Sequence, residues 1–499
     1  MTTTITGVTP AQAASRLVDD RTATLVVGVH REDGALTSGA GIALAQRIMD
    51  VDLLSLASEI VLRDSGIFSR TTVGIPYAGK LQRVEFVDLG PRVRKNQAVQ
   101  GPSRAEVLFG AALASTRDLR GTVVSLLACE DDTPAGIDLV AQGHAAGSWS
   151  YATAHDTREI VVVTETGEQL ARVLERSQVI ANAVEWTRSL IETPPNRLGP
   201  REFADAVSAF AARVAGKAVT LSVWDSAMLQ ERGFGGTLGV GAGSSRSPLV
   251  IELRTEGEGP AIALAGKGIT FDAGGINLKR DLAEIAWMKA DMAAAASVAA
   301  AVISAASLGC SHPIHALLPV AENMPGGGAQ RPGDIVNHPD GRHTEIIDTD
   351  CEGRLVLADA LAWLATQQPA QLIDVGTLTD SGGVGTALWG CWGTSHALAQ
   401  ELVSAGNTVG DPGWELPLHD SYTHLLASRV ADISNASLEV PDSGQLAATY
   451  LRTFVRDVPW VHIDNGSSAW LEHDGSPWPA GPTATPLRAL VEFLSPAQE

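Results

Sequence analysis

A chain of 499 residues is too long for one ordinary hydrophobic core, so we expect two domains. The composition, with 45% hydrophobic and 19% charged residues, excludes wholesale disorder and is typical of a soluble globular protein. The formal charge of −21 repels polyanions and disfavours nucleic acid as a partner. The four cysteines are widely separated, so they fit neither a disulfide framework nor a thiolate zinc site.

Two segments bear on where the protein resides. Residues 1–17 contain no basic segment leading into an apolar one, so we expect a cytoplasmic protein. Residues 292–309 carry no charge and approach the length of a membrane span, but they are mostly alanine and serine. These residues gain little free energy on transfer into lipid compared with leucine or phenylalanine. We therefore predict a tightly packed, buried helix there and no membrane partner.

The first third of the sequence alternates β-branched runs with helical patterns, which indicates βαβ units and a mainly parallel sheet. The predicted strands are residues 24–29, 83–89, 122–127 and 159–163, with a helix at 103–119. A long helical pattern at 167–191 ends before Pro194 and Pro195. We place the domain boundary on this helix, giving domains at 1–170 and 198–499 and a connecting segment at 171–197.

The second part also has an α/β pattern. Its predicted strands are residues 219–223, 249–253, 261–265, 314–319 and 371–375, and its helices are 201–214, 292–308 and 355–366. The glycine-rich stretch at 233–243 matches neither the Walker nor the dinucleotide-binding pattern. We predict a turn there.

Acidic residues follow the predicted strands of the second part. Asp272 comes soon after the strand at 261–265, and sites in open α/β sheets form outside the carboxyl ends of strands. A further strand at 343–347 would deliver Asp348, Asp350 and Glu352 at alternate positions, so all three can point one way if the segment stays extended. One such acid alone is more often a solvated surface group or a helix cap. Together they indicate a metal-dependent hydrolase, since hard divalent ions prefer oxygen ligands.

Several motifs taken together resemble the leucyl (cytosol) aminopeptidase family over roughly residues 140–475. They are Gly266-Lys267-Gly268-Ile269-Thr270-Phe271-Asp272, Ala290-Asp291-Met292, Glu322-Asn323-Met324-Pro325, Arg331-Pro332-Gly333-Asp334 and Asp348-Thr349-Asp350-Cys351-Glu352-Gly353-Arg354-Leu355. The resemblance implies a macro-domain-like α/β domain followed by a larger α/β/α catalytic aminopeptidase domain. It also implies a homohexamer that acts on peptides with a free N-terminus.

The same resemblance implies two divalent ions per subunit, commonly zinc, with manganese, magnesium or cobalt able to substitute. Asp272 and Glu352 would bridge both ions, and Asp350 would complete one site. Lys267 and Asp291 would complete the other site. Lys279 would polarise the scissile carbonyl, and Arg354 would hold a bicarbonate ion that relays protons. The implied reaction is attack of an activated water on the first peptide bond.

The chain departs from the family's pattern in the pocket for the first substrate side chain. Asp348 stands where asparagine is usual, Cys351 where alanine is usual and Asp380 where glycine is usual, whereas Met288 and Thr377 match pocket positions. An acidic pocket would favour basic or small polar first residues over leucine. The alternative is that one aspartate is a hydrogen-bonded structural group and the other faces solvent. We expect Cys351 to line the pocket, since no motif pairs it with an activating histidine.

Another departure lies at residues 439–446, which lack the family's usual small-residue motif. The leading functional hypothesis is a two-metal aminopeptidase or dipeptidase. The pocket changes leave open a specialised amidase or dipeptidase that acts on one particular peptide or conjugate. From another class, some bacterial relatives are DNA-binding accessory proteins, and the negative net charge argues against that role here.

Overall fold

The computed structural model describes residues 3–32, 35–60, 66–92, 101–151, 159–165, 170–475 and 477–497. The strands of its first sheet are β1 (Thr4–Val8), β2 (Thr24–Glu32), β3 (Ala35–Ser38), β4 (Arg70–Tyr77), β5 (Lys80–Asp88), β6 (Val123–Ser125) and β7 (Glu159–Val163). Across the sheet the order is β1-β7-β6-β2-β5-β4, with β3 paired to β2. The neighbours from β1 to β5 are parallel, and β3 and β4 are antiparallel to their partners. The predicted parallel α/β sheet is confirmed.

Helices cover both faces of this sheet. They are α1 (Pro10–Asp19), α2 (Ala40–Met49), α3 (Leu53–Ile60), α4 (Arg104–Thr116) and α5 (Pro134–Ser148). Helix α4 begins at a capping box, in which Ser103 Oγ accepts from the Glu106 amide and the Glu106 carboxylate accepts from the Ser103 amide. Strand β2 sends Val26 into one apolar core and Val27 into another, because successive side chains of a strand alternate between faces.

Helix α6 (Leu170–Glu192) runs from the first sheet to the second part of the chain, and α7 (Pro200–Val214) follows it. The predicted start of α6 at residue 167 lies outside the described residues. Its end before Pro194 and Pro195 is as predicted. Ile180, Val184 and Ile191 of α6 are buried in a core that contains side chains from both sheets. The domain boundary placed on this helix stays a prediction.

The second part contains a larger sheet and two small ones. Its strands are β8 (Thr220–Trp224), β9 (Leu249–Arg254), β10 (Ile262–Gly266), β11 (Gly268–Asp272), β12 (Ile314–Asn323), β13 (Ile335–Asn337), β14 (His343–Glu345), β15 (Gln371–Gly376), β16 (Trp389–Gly393), β17 (Gly413–Glu415), β18 (Ile433–Ser434), β19 (Trp460–Asp464), β20 (Trp470–Leu471) and β21 (Gly481–Pro482). The large sheet has the order β17-β16-β19-β15-β10-β12-β9-β8, with β11 paired to β12. One small sheet has the order β13-β14-β18 and the other pairs β20 with β21.

Helices pack on both faces of the large sheet. They are α8 (Ser226–Arg232), α9 (Gly235–Gly241), α10 (Leu282–Trp287), α11 (Ala293–Ser307), α12 (Glu352–Ala365), α13 (His396–Val409), α14 (Gly444–Arg452), α15 (Gly466–Ala469) and α16 (Leu487–Leu494). Strand β10 directs Leu264 into the core that holds α11 and Ala265 into the core that holds α12. Among the described residues, the stretch Leu282–Ser307 is apolar and long enough to cross a membrane, but 89% of its most apolar window is buried. The predicted buried helix is confirmed.

Two local predictions are wrong. The glycine-rich stretch forms helix α9 instead of a turn, because Asp359 accepts hydrogen bonds from amides of its first turn, which also packs closely on neighbouring backbone. A Cβ at Gly235 would lie 2.4 Å from Asn337 O, and one at Gly236 would lie 2.6 Å from Leu355 O. The strand predicted at 343–347 ends at Glu345, so the acidic segment after it does not stay extended.

Candidate metal centre

Strands β10, β11, β12 and β15 are parallel neighbours, so their carboxyl ends meet at one edge of the sheet. Each delivers a polar residue there. Lys267 directly follows β10, Asp272 is the last residue of β11 and Asn323 is the last residue of β12. Thr377 directly follows β15. These strands are largely buried and consist mainly of β-branched and aliphatic residues, so they hold the polar side chains in fixed positions.

The other acidic side chains come from the starts of two helices. Glu352 is the first residue of α12, and Asp350 lies in the turn before it. One carboxylate oxygen from each of Asp272, Asp350 and Glu352 lies within 4.8 Å of the others. Asp291, just before α11, joins through Lys267, whose Nζ lies 2.8 Å from Asp291 Oδ1 and 2.8 Å from Glu352 Oε1. All five predicted metal ligands are thus brought together.

Lys279 enters the cluster from the loop after β11. Its Nζ lies 3.0 Å from Asp272 Oδ2 and 2.7 Å from Asp350 Oδ1. The loop turns back through Gly274, whose φ of +86° is one that residues with a side chain rarely adopt. A Cβ at Gly274 would also lie 2.6 Å from Asn277 O and 2.8 Å from Asp350 Oδ1. Glycine is therefore required at this position for Lys279 to reach the carboxylates.

Burial dominates the electrostatics of the acidic groups. It raises the pKa of Asp350 to about 8, with further contributions from Asp272 and Glu352. Burial, followed by the repulsion from Asp272, also raises the pKa of Glu352. Burial is also the main reason why the pKa of Asp291 lies well above its ordinary value. A cluster of carboxyl groups that resists ionisation in this way binds positive charge favourably.

The two lysines do not supply enough of that charge. Burial alone would lower the pKa of Lys267 and of Lys279, but the surrounding carboxylates outweigh it and raise both. Within the described part of the chain, the four carboxyl groups of the cluster nevertheless pair with two ammonium groups, so two negative charges stay uncompensated when all four ionise.

Two carboxylate oxygens show where further cations would bind. Asp291 Oδ2 and Glu352 Oε2 are buried and have no hydrogen-bond partner within the described part of the chain. A buried carboxylate oxygen without a partner is costly. Hard divalent ions bind carboxylate oxygens, and one carboxylate can bridge two of them. The donor set therefore fits divalent metal ions.

Asn323 belongs to one of the family-like motifs, but no role was predicted for it from the sequence. Its Nδ2 donates to Asp272 Oδ1 at 2.8 Å and to Thr349 O at 3.0 Å, so it ties the end of β11 to the turn before α12. Thr349 Oγ1 in turn donates to Gly274 O at 2.7 Å. The side chain of Asn323 is buried. Only its position at the end of a buried strand, beside Asp272, could have pointed to this role.

Arg354 lies in the first turn of α12 and is 1% exposed. Its Nη1 donates to Asn435 O at 2.8 Å, and its Nη2 is paired with the Asp442 carboxylate. Asn435 also fixes the turn before α12, since its Nδ2 donates to Asp348 O at 2.6 Å and its Oδ1 accepts from the Ile347 amide at 2.8 Å. Arg354 was predicted from the sequence as a site residue, whereas its partners Asn435 and Asp442 were not.

The predicted pocket residues are spread over different surroundings. Thr377 contacts the acidic cluster itself, because its Oγ1 donates to Asp291 Oδ1 at 2.7 Å. Asp348 Oδ1 accepts from the Asp350 amide at 2.9 Å and lies outside the carboxylate cluster, so the three alternate acids do not all point one way. Asp380 is exposed, and Met288 is buried.

Cys351 is also buried, and burial raises the pKa of its thiol well above the ordinary value. A neutral thiol is a poor nucleophile. This agrees with a lining role for Cys351.

Comparison with known proteins identifies the family. Residues 185–491 match the model of the cytosol aminopeptidase family, catalytic domain. A "Probable cytosol aminopeptidase" of Geobacter sulfurreducens is 36% identical, over 95% of this chain and 96% of that protein. A protein of the same name from Micrococcus luteus is 38% identical, over 79% of this chain and 82% of its own length.

A solved structure shows the same architecture. The bottromycin maturation enzyme BotP in complex with Mn superposes with a TM-score of 0.79 and 32% sequence identity, covering 95% of this chain and 99% of BotP. The agreement extends over both sheets, since almost the whole of each chain is matched. The chain therefore belongs to the cytosol aminopeptidase family of metal-dependent exopeptidases, which are hydrolases that act on peptides.

Proposed function

We propose that this chain releases N-terminal amino acids from peptides by using two divalent ions held by Lys267, Asp272, Asp291, Asp350 and Glu352. The observation that carries the proposal is the carboxylate cluster, in which oxygens of three acids approach within 4.8 Å of one another, and two buried carboxylate oxygens have no hydrogen-bond partner among the described residues. Asp272 and Glu352 would be shared between the ions, Asp350 would belong to one, and Lys267 with Asp291 would belong to the other. Lys267 would bind as a neutral amine and so would have to release its proton.

Zinc or manganese is the proposed metal, with magnesium or cobalt as substitutes. The oxygen-rich donor set suits hard or borderline ions, and the single lysine nitrogen is compatible with zinc or manganese. The complex of BotP with Mn supports manganese by similarity.

When bound, paired divalent ions lower the pKa of a water and polarise a carbonyl oxygen. The chain's own residues supply the positioning. The Lys279 ammonium is held protonated by Asp272 and Asp350, so it can donate to the carbonyl oxygen of the first peptide bond. Thr377 orients Asp291 and accepts from Lys267 Nζ at 2.8 Å through its carbonyl oxygen. The cluster lies at the carboxyl edge of the sheet, and Asp350, with its side chain 28% exposed, is its most exposed member.

The preference for the first residue follows from the pocket positions Met288, Asp348, Cys351, Thr377 and Asp380. Because Asp348 already accepts from the Asp350 amide, only part of its carboxylate is available to a substrate. Asp380 is exposed and can meet a basic side chain in water. We propose that basic or small polar first residues are favoured over leucine.

The similarity to BotP favours a second candidate, a peptidase dedicated to one particular peptide or conjugate. BotP is named as a maturation enzyme, and its likeness extends over 95% of this chain. The net charge of −21 disfavours the remaining candidate, a DNA-binding accessory protein, because it repels polyanions. We further propose a cytoplasmic homohexamer with an N-terminal macro-domain-like domain at residues 1–170.

The test uses metal-depleted protein titrated with zinc and with manganese against a matched panel of aminoacyl substrates. Activity should appear only with metal and should saturate near two ions per chain. N-acetylated versions of the same substrates should not be cleaved, because the free amine is required. If the loaded protein cleaves no member of the panel, the general aminopeptidase proposal fails and the dedicated peptidase becomes the better hypothesis.

A further inference from the structure

Arg354 needs an anion because its guanidinium is buried at the start of α12. It follows Glu352 by two residues in α12, and its side chain is 1% exposed. A guanidinium taken out of water destabilises the protein unless a negative group pairs with it. The resemblance discussed above assigned this place to an external bicarbonate ion. In the structure, Arg354 pairs with an anionic side chain of the protein itself.

That anion is the carboxylate of Asp442, which pairs with Arg354 Nη2. A planar carboxylate and bicarbonate offer a guanidinium the same chemistry, namely two oxygens that accept from adjacent N–H groups. Arg354 Nη1 donates to Asn435 O, and Nε has no partner among the described residues. Nε and Nη2 form the fork that pairs with a carboxylate, and one arm of it already binds Asp442.

The segment that carries Asp442 is anchored at both ends. Asn435 is fully buried, and its side chain bonds to backbone groups of the turn before α12. At the other end Ser443 caps α14, with its Oγ accepting from the Leu446 amide. Between these anchors the chain is largely exposed, with Leu438 86% exposed. The Asp442 side chain is 31% exposed, so the surface segment delivers one acid inward to a buried cation.

We propose that Asp442 provides, from within the chain, the anion that Arg354 holds beside the metal centre, and thereby takes the place of external bicarbonate. Asp442 is a positioning residue, because it acts through Arg354. This inference rests on the proposed function, in that the anion belongs to the same catalytic site. It explains why residues 439–446 depart from the usual small-residue motif: the segment has to contribute a carboxylate.

The first test measures binding without turnover. Metal-free wild-type protein and Asp442→Ala are titrated with ¹³C-labelled bicarbonate by NMR, and their thermal denaturation is followed with and without bicarbonate. Wild type should show neither binding nor a stability shift. Asp442→Ala should show both, since a ligand that binds only the folded state raises its stability. Asp442→Ser serves as a second variant if the alanine variant does not fold.

The second test measures rescue of the metal-loaded enzyme in buffer freed of carbon dioxide. Wild-type activity should be unchanged by added bicarbonate. Asp442→Ala should lose about tenfold or more in kcat, the scale seen when a supporting partner of a site residue is removed, and bicarbonate should restore it. Glu439→Ala removes a charge from the same exposed segment and should behave as wild type.

Bicarbonate binding by the wild-type protein, or no binding by either Asp442 variant, would overturn the proposal. The two proposals can fail separately. If no protein hydrolyses any peptide while Asp442→Ala still binds bicarbonate, the proposed function fails and the assignment of Asp442 to the anion position stands.

Discussion

Lys267 Nζ lies 2.8 Å from Glu352 Oε1, and the residue after that glutamate is a glycine that makes this contact sterically possible. A Cβ at Gly353 would lie 2.6 Å from both Cδ and Cε of Lys267 and 2.6 Å from Leu378 Cδ2. The lysine stem therefore passes directly over the first turn of α12. Gly353, which has no side chain to bind metal, thus controls the position of Lys267, a proposed metal ligand.

Gly353→Ala should separate folding from metal binding. Alanine is favoured over glycine in a helix by about 1 kcal/mol, which offsets the crowding of the flexible Lys267 and Leu378 side chains. We therefore expect little change in the melting temperature of the metal-free protein, together with weaker metal binding and lower kcat. Calorimetric metal titration and thermal denaturation provide the two measurements.

The matched control is Gly327→Ala, since a Cβ there meets nothing within 4 Å. It adds the same methyl group in open space and should leave metal affinity unchanged. If Gly353→Ala and wild type bind metal with equal affinity, the added methyl group does not displace Lys267, and the prediction is wrong.

Asn323→Ala should weaken metal binding although Asn323 is not a proposed ligand. The substitution removes the hydrogen bonds to Asp272 Oδ1 and to Thr349 O, so the Asp272 carboxylate is no longer held in one orientation. Loss of a partner that orients a ligand typically costs roughly 10- to 100-fold in metal affinity or activity. Metal affinity is measured by competition with a chelator. Asn337→Ala, on an exposed strand position, is the control and should match wild type.

Glu352→Gln should abolish turnover while preserving the metal-free fold. Burial and the nearby Asp272 raise the pKa of Glu352, because both disfavour its negative charge in the metal-free site. Glutamine is a neutral isostere, so unfolding of the metal-free variant should need at least as much denaturant as wild type. Bound metal should no longer stabilise it as it does wild type. The control is Glu231→Gln on the exposed face of α8, which should retain both turnover and stabilisation by bound metal. If metal stabilises Glu352→Gln as much as it stabilises wild type, Glu352 is not a metal ligand.

The edge of the sheet could be predicted from the sequence because its strands are uniformly apolar. The run before Lys267 is buried on both faces, and parallel strands of that kind end at a common edge. Asp272 was therefore expected at this edge, whereas Lys267 was assigned as a metal ligand only through the family resemblance. Asp291 was assigned only through the family resemblance, since it lies on no predicted strand end.

The failures arose where tertiary contacts decide the local backbone. Helix α9 is glycine-rich and has low helical propensity, but Asp359 accepts hydrogen bonds from the amides of Gly236 and Thr237 and stabilises its first turn. The side chain of Asp348 was expected to point in the same direction as that of Glu352. Instead, its carboxylate accepts from the Asp350 amide and closes a turn. The pairing of Arg354 with Asp442 joins residues 88 positions apart, and no local pattern encodes it.

His144 provides a pH-dependent prediction away from the metal centre. It is fully buried in α5, with Nδ1 2.5 Å from Thr116 Oγ1 and Nε2 2.7 Å from Ser125 Oγ. Burial lowers the pKa of His144 from 6.5 to about 3. The folded protein therefore keeps this ring neutral in a range where the unfolded chain takes up a proton. Its contribution to stability is complete above pH 6.5 and is lost as the pH falls toward 3.

The measurement compares the free energy of unfolding of metal-free wild type and His144→Gln between pH 7 and pH 5. Below pH 6.5 the wild type should lose about 1.4 kcal/mol more per pH unit than the variant, because one proton separates its folded and unfolded states. Contributions from the carboxylates are common to both proteins and cancel in the difference. His396→Gln, at an exposed position, should keep the wild-type slope. Parallel slopes for wild type and His144→Gln would mean that His144 becomes protonated within the folded protein, which would require Thr116 and Ser125 to accept hydrogen bonds from both ring nitrogens.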